Sequence, residues 1–145
     1  AFLALFEATQ NDHWLGKARE ILNLFEAHFY DPETECLLEF FSADWAPYQG
    51  DMQAVEPGHM LEWSWLLAQY QRLSGADYSD RSHQLLNKGI ALGLNAKTGL
   101  IYNVVEPDGR VSDSAHRLWP QTEYIKALIA SIESGDTAAA PHLDK

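Results

Sequence analysis

An all-α chain of stacked helical hairpins, forming part of an α/α toroid, is the fold this sequence predicts, and three observations predict it. Turn signals recur: Asp31-Pro32-Glu33-Thr34 is matched by Asn95-Ala96-Lys97-Thr98 64 positions on, Pro57 by Pro120 at 63, and Glu62 by Glu123 at 61. Phe2 to Asp12 is echoed by Lys126 to Asp136 at 124 positions, two periods away. Between the turns, helices apolar on most sides alternate with helices carrying one apolar stripe, the pattern of an inner and an outer layer. Such units cannot bury their faces alone, so neighbours must stack.

The elements follow in order. Residues 2–9 read as the back half of an apolar helix. Gln10 to His13 is a polar turn in which Asp12 is placed to cap the next helix. That helix runs from about Trp14 to Phe29, with Trp14, Ala18, Ile21, Leu22, Phe25 and Phe29 at helical spacing. Asp31 to Thr34 ends it, Leu37 to Phe41 is extended, and Ala43-Asp44-Trp45-Ala46-Pro47 is a loop. Pro57 suits a helix start, and no breaker follows until Ser74-Gly75, so a helix is expected from Gly58 to Leu73. Another runs from Tyr78 to Leu92 before the turn Asn95 to Gly99. Leu100 to Val105 is extended, Pro107-Asp108-Gly109 turns, and a last helix covers Tyr124 to Ile132 after a Pro in its first turn. Thr137 to Lys145 reads as a frayed tail.

Composition narrows the function. The chain has 145 residues, enough for one domain, and 46% of them are hydrophobic. A net charge of −11 argues against nucleic acid and against anionic membrane surfaces as partners. No apolar run reaches the length of a membrane span, and the single Cys36 suits a reducing, cytoplasmic setting. Cys36 has no base beside it in sequence and reads as inert.

Two stretches carry chemistry. Pro57-Gly58-His59-Met60-Leu61-Glu62-Trp63-Ser64-Trp65-Leu66-Leu67 puts His59, Glu62 and Trp63 on one face at the start of a nearly buried helix. Polar groups there are costly unless they meet partners. Arg117-Leu118-Trp119-Pro120-Gln121-Thr122-Glu123 crowds the start of the next inner helix in the same way. On the residues alone, a lone His on an apolar helix is first a packed core residue, and Arg117 is first a surface ion-pair partner. The two motifs, in this order, resemble those of the N-acylglucosamine 2-epimerase superfamily, which includes D-mannose isomerases and cellobiose 2-epimerases. The resemblance runs from about Phe2 to Asp136.

It implies an (α/α)6 barrel, which at this repeat needs about 380 residues. The chain would then be a little over two hairpins of a longer barrel, with apolar inner faces left open and self-association, including a homodimer, among the expected states. It also implies sugar isomerisation or 2-epimerisation with a monosaccharide or disaccharide substrate and no cofactor or metal. His59 becomes one of two acid/base histidines, the other lying outside this chain, so the segment alone is expected to be inactive. His59 at a helix N-terminus should favour the neutral, proton-accepting imidazole, with Glu62 orienting it or holding a hydroxyl. Trp63, Arg117, Trp119, Gln121 and Glu123 are expected to bind the sugar, and Asp44 and Trp45 to rim the pocket. Leu118, where cellobiose epimerases tend to have Trp, tilts the reading to aldose–ketose isomerisation. Two rivals remain: a glycoside hydrolase using Glu62 and Glu123, and an α-solenoid binding protein on its concave face.

Overall fold

The computed structural model describes residues 1–48 and 54–143. Five helices alternate between two layers: α1 (Phe2–Thr9), α2 (Asp12–Leu24), α3 (Pro57–Ser74), α4 (Ser79–Gly93) and α5 (Leu118–Glu133). Helices α1, α3 and α5 form the inner row, with α3 packed against both neighbours; α2 lies behind α1 and α4 behind α3. This is the hairpin stacking of an α/α toroid.

Helix α2 starts two residues before Trp14 and is capped by Asn11, whose side chain accepts the His13 amide at 3.0 Å. Asp12, the expected cap, lies in the first turn, where its charge meets the helix dipole. The helix ends in a wide π turn, Phe25–Phe29, which aims Phe25 into the core. Pro57 opens α3 and Gly75, in the left-handed conformation at φ 75°, closes it.

Each outer helix leads into an extended arm that crosses to the start of the next inner helix. In the first repeat β1 (Tyr30–Asp31) pairs with β2 (Cys36–Leu37), a hairpin not foreseen from sequence, with Tyr30 opposite Leu37. In the second, Leu94 pairs with Ile101 at the equivalent position, and β3 (Val104–Val105) pairs with β4 (Val111–Asp113). The turns match in detail. Asp31 accepts the Glu33 amide as Asn95 accepts the Lys97 amide, at 3.1 and 3.0 Å. Glu35 then adopts φ 58° where Gly99 has φ 72°. Glu35 therefore carries local strain that its glycine counterpart escapes.

The core centres on α3. Phe25, Met60, Leu67, Tyr70 and Leu85 form one cluster with Cys36, Leu37, Val55 and Val105; Leu61, Leu86, Ile101, Tyr124 and Leu128 form a second. The arms meet through backbone bonds between Val55 and Val105 at 2.7 and 2.9 Å. Thr137–His142 is a 3₁₀ turn rather than a frayed tail. It folds back on α5, burying Ala139 and joining His142 Nδ1 to the Tyr124 hydroxyl at 2.8 Å. Leu5, Ile125 and Ile129 are exposed on α1 and α5.

Candidate active site

The starts of α3 and α5 lie against each other because Gly58 has no side chain. A Cβ there would sit 2.6 Å from Trp119 Cη2 and 3.0 Å from Pro120 Cβ. The close approach brings the Trp119 ring to 4.8 Å from the His59 imidazole, tilted by 35°. On its other side His59 borders a cleft of about 340 Å³ lined by Phe29, Leu38, Glu39, Phe41, Trp45 and Trp63. Trp63 stacks on Phe25 at 4.2 Å, and Trp45 stacks on His28 at 5.3 Å. The cleft is walled by aromatic rings with one imidazole and one carboxylate between them.

That carboxylate is Glu39, which sequence reasoning passed over as part of an apolar strand. Its Oε2 accepts a hydrogen bond from His59 Nδ1 at 2.9 Å, and its Oε1 accepts the backbone N–H of Glu56 at 3.3 Å. Glu62, expected to orient His59, makes no hydrogen bond or ion pair among the described residues. One turn on from His59, its charge is felt there but its oxygens are free.

The lowered His59 pKa expected at a helix start is not found. The His59 pKa is raised, first by the hydrogen bond from its ring to Glu39 and further by the charges of Glu39, Glu56 and Glu62; burial opposes them and loses. The bond to Glu39 and the three carboxylate charges outweigh burial. The side chain remains about 38% exposed, open to a ligand in the cleft.

The residues of the second motif divide. Trp119 stands beside His59, and Arg117 lies at the same end of the bundle. The Arg117 guanidinium is exposed and makes no hydrogen bond or ion pair among the described residues; the Asp113 carboxyl nearby is lowered first by the hydrogen bond from Asn103 and least by the Arg117 charge. Gln121 is committed to the scaffold, with both Nε2 donors and one Oε1 acceptor site used. Its Oε1 accepts the Ile101 amide at 2.7 Å, and its Nε2 donates to the carbonyls of Ile101 and Arg117 at 2.9 and 3.0 Å.

Glu123 is buried between inner helices. Trp65 Nε1 donates to it at 2.6 Å and Lys126 Nζ to both its oxygens at 2.7 and 2.8 Å, with Lys126 also over the Trp65 ring at 4.4 Å. Glu123→Leu is expected to destabilise the fold by about 1–3 kcal/mol, because it leaves the partly buried Trp65 indole N–H without its acceptor. Thermal unfolding measures this, and an unchanged melting temperature would contradict the Glu123 tie.

Other sequence candidates lie elsewhere. Asp44 closes its own loop by accepting the Ser42 hydroxyl, leaving Trp45 (φ 65°) as the loop's contribution to the cleft. His116 bonds the Ile101 carbonyl and stacks on Tyr102. His83 lies 3.8 Å from Asp136. Burial pushes the Cys36 thiol up. Among the described residues no group of three or more His, Cys, Asp or Glu side chains is arranged to hold a metal ion, and no helix is long and apolar enough to cross a membrane.

Comparison with known proteins bears on the family and the fold. A family model described as N-acylglucosamine 2-epimerase (GlcNAc 2-epimerase) matches residues 1–144. A mannose-6-phosphate isomerase of Rhizobium meliloti is 38% identical over 118 residues, 80% of this chain and 30% of the relative. Among solved structures, a D-mannose isomerase superposes with a TM-score of 0.79 at 20% identity, over 94% of this chain and 38% of that one. A cellobiose 2-epimerase from Bacillus thermoamylovorans gives 0.81 at 20% identity, over 99% and 36%. These superpositions show the toroid fold. The chain spans about a third of the length of the proteins it matches.

Proposed function

The chain belongs to the N-acylglucosamine 2-epimerase family, and on that premise we propose that the protein carrying it is a sugar isomerase whose proton-transfer base is His59. The observation that carries this reading is the His59 imidazole at the start of α3, held through Nδ1 by Glu39 and bordering an aromatic cleft. A carboxylate can only accept, so the ring proton sits on Nδ1 and Nε2 is the acceptor. Nε2 takes the proton from C2 of the open-chain aldose, and the electron pair moves into an enediol. Returning a proton to C1 gives the ketose; returning one to the opposite face of C2 gives the 2-epimer.

Trp63, Trp45 and Trp119 offer faces for the apolar C–H surfaces of a monosaccharide or disaccharide. Arg117 and Glu62, whose charged groups have no hydrogen-bond or ion-pair partner among the described residues, are the side chains left to bind hydroxyls; Gln121 and Glu123 hold the scaffold that carries them. Aldose–ketose isomerisation of a mannose-type sugar is favoured by the mannose-6-phosphate isomerase relative and by Leu118 following Arg117. The hydrolase reading is weaker, since it needs Glu123 as a second carboxylate and both Glu123 oxygens are engaged.

Incubating the full-length protein with D-mannose in D₂O, followed by NMR, tests the assignment. The expected product is fructose with deuterium at C1. Glucose labelled at C2 without a ketose would make the enzyme an epimerase, and no exchange with mannose, N-acylglucosamine or cellobiose would remove the proposal.

A further inference from the structure

The two repeats expose a difference at one position. Glu39 in the first arm and Asn103 in the second are 64 residues apart, the same spacing as the matched turns. Each reaches forward to the residue that precedes an inner helix. Glu39 Oε1 accepts the Glu56 amide before α3, and Asn103 Oδ1 accepts the Arg117 amide before α5 at 2.8 Å. The shared task is tethering an arm to a helix start, and a neutral amide performs it in the second repeat. In the first repeat the position carries a carboxylate, and the extra oxygen binds His59 Nδ1 at 2.9 Å. The tether does not need the charge.

We propose that Glu39 is the positioning residue of this site: its tethered carboxylate fixes the His59 ring in the Nδ1–H tautomer and holds the imidazolium that forms when Nε2 takes the sugar proton. The inference rests on His59 being the base, and it adds the group through which the fold controls that base. Two features make the control stiff. Glu39 is 13% exposed, so its side chain has little freedom, and its second oxygen is bound to backbone rather than to a mobile side chain. The adjoining β2 residues Cys36 and Leu37 are buried in the main core, which anchors the arm. A carboxylate that holds a general-base histidine in one tautomer and stabilises its imidazolium can be worth up to about 10⁴ in kcat.

The charges facing His59 are those of Glu39, Glu56 and Glu62. Removing the Glu39 charge leaves two carboxylates and the opposing effect of burial, so the His59 pKa must fall. For a general base, the acidic limb of the kcat/KM profile reports this titration and should move to lower pH.

The test is Glu39→Gln in the full-length protein, which keeps the length and an oxygen for the Glu56 amide, as Asn103 does. The expected result is a kcat lower by about 10-fold or more, an acidic limb at lower pH, a little-changed melting temperature, and loss of the fixed Nδ1–H tautomer in ¹⁵N spectra of the His59 ring. Glu39→Asp, retaining the charge, should recover part of the tautomer preference. Unchanged turnover, pH limb and tautomer would overturn the proposal. So would lost activity with the limb and tautomer unmoved, since that is the signature of a merely structural residue. The ring spectra separate this idea from the assignment of the base: if His59→Gln stays active, the base assignment falls, while the Glu39-dependent tautomer is still read directly.

Discussion

His59→Gln in the full-length protein is expected to lower the conversion of mannose to fructose by about 10²- to 10⁴-fold, the usual cost of losing a general base, while the fold persists. Glutamine keeps much of the imidazole's volume, and its amide N–H can still donate to Glu39, so the Glu39 carboxylate is not stranded. The histidine side chain is about 38% exposed, so truncation opens no sealed cavity. A core histidine would behave in the opposite way, with a lower melting temperature and turnover per folded molecule retained. Fructose formation and a melting curve on one sample separate the two. Turnover within a few-fold of the parent would take His59 out of the mechanism.

Gly93→Ala is expected to be strongly damaging. A Cβ at Gly93 would stand 2.4 Å from Pro57 Cβ and 2.9 Å from its Cγ, with Ile101 Cγ2 at 3.3 Å. The obstacle is a rigid, fully buried pyrrolidine ring at the first position of α3, so it cannot swing aside. Elsewhere in a helix the same change helps. A Cβ added at Gly16 in α2 would meet nothing within 4 Å, and alanine there should stabilise by about 0.5–1 kcal/mol. At Gly93 that gain is outweighed by overpacking of about 1–3 kcal/mol, and α4 must retreat from the start of α3. The retreat moves Pro57, two residues from His59, so activity should fall together with the melting temperature. If Gly93→Ala melts no lower than the parent while Gly16→Ala melts higher, the tight packing of α4 on Pro57 is wrong.

Much of this architecture was legible locally. The Pro57 and Ser74-Gly75 signals bound α3 to within a residue, because helix starts and stops depend on φ restriction and left-handed glycine, both carried by the residues themselves. The repeat was legible because each hairpin reuses one turn, down to the Asx bond at Asp31 and Asn95. The hairpin β1–β2 was missed because two-residue strands have too little length to display an alternating pattern. The 3₁₀ turn was missed because Ala139 gains its burial from α5, a contact that a small-residue tail does not advertise.

The functional residues divide along the same line. The sequence by itself determined that His59, Glu62 and Trp63 share a helix face near its N-terminus and that a second inner helix begins with Trp119-Pro120. Those statements need only the 3.6-residue period and the helix-start chemistry of proline. Only the tertiary structure decided which side chains meet. It set Glu39, 20 residues before His59, against the imidazole, tied Glu123 to Trp65 across 58 residues, and committed Gln121 to Ile101. It also reversed the expected shift of the His59 pKa. Position along a helix can be read from sequence, but the carboxylates that raise the His59 pKa act through space, and their distances exist only once the arm has folded across the start of α3.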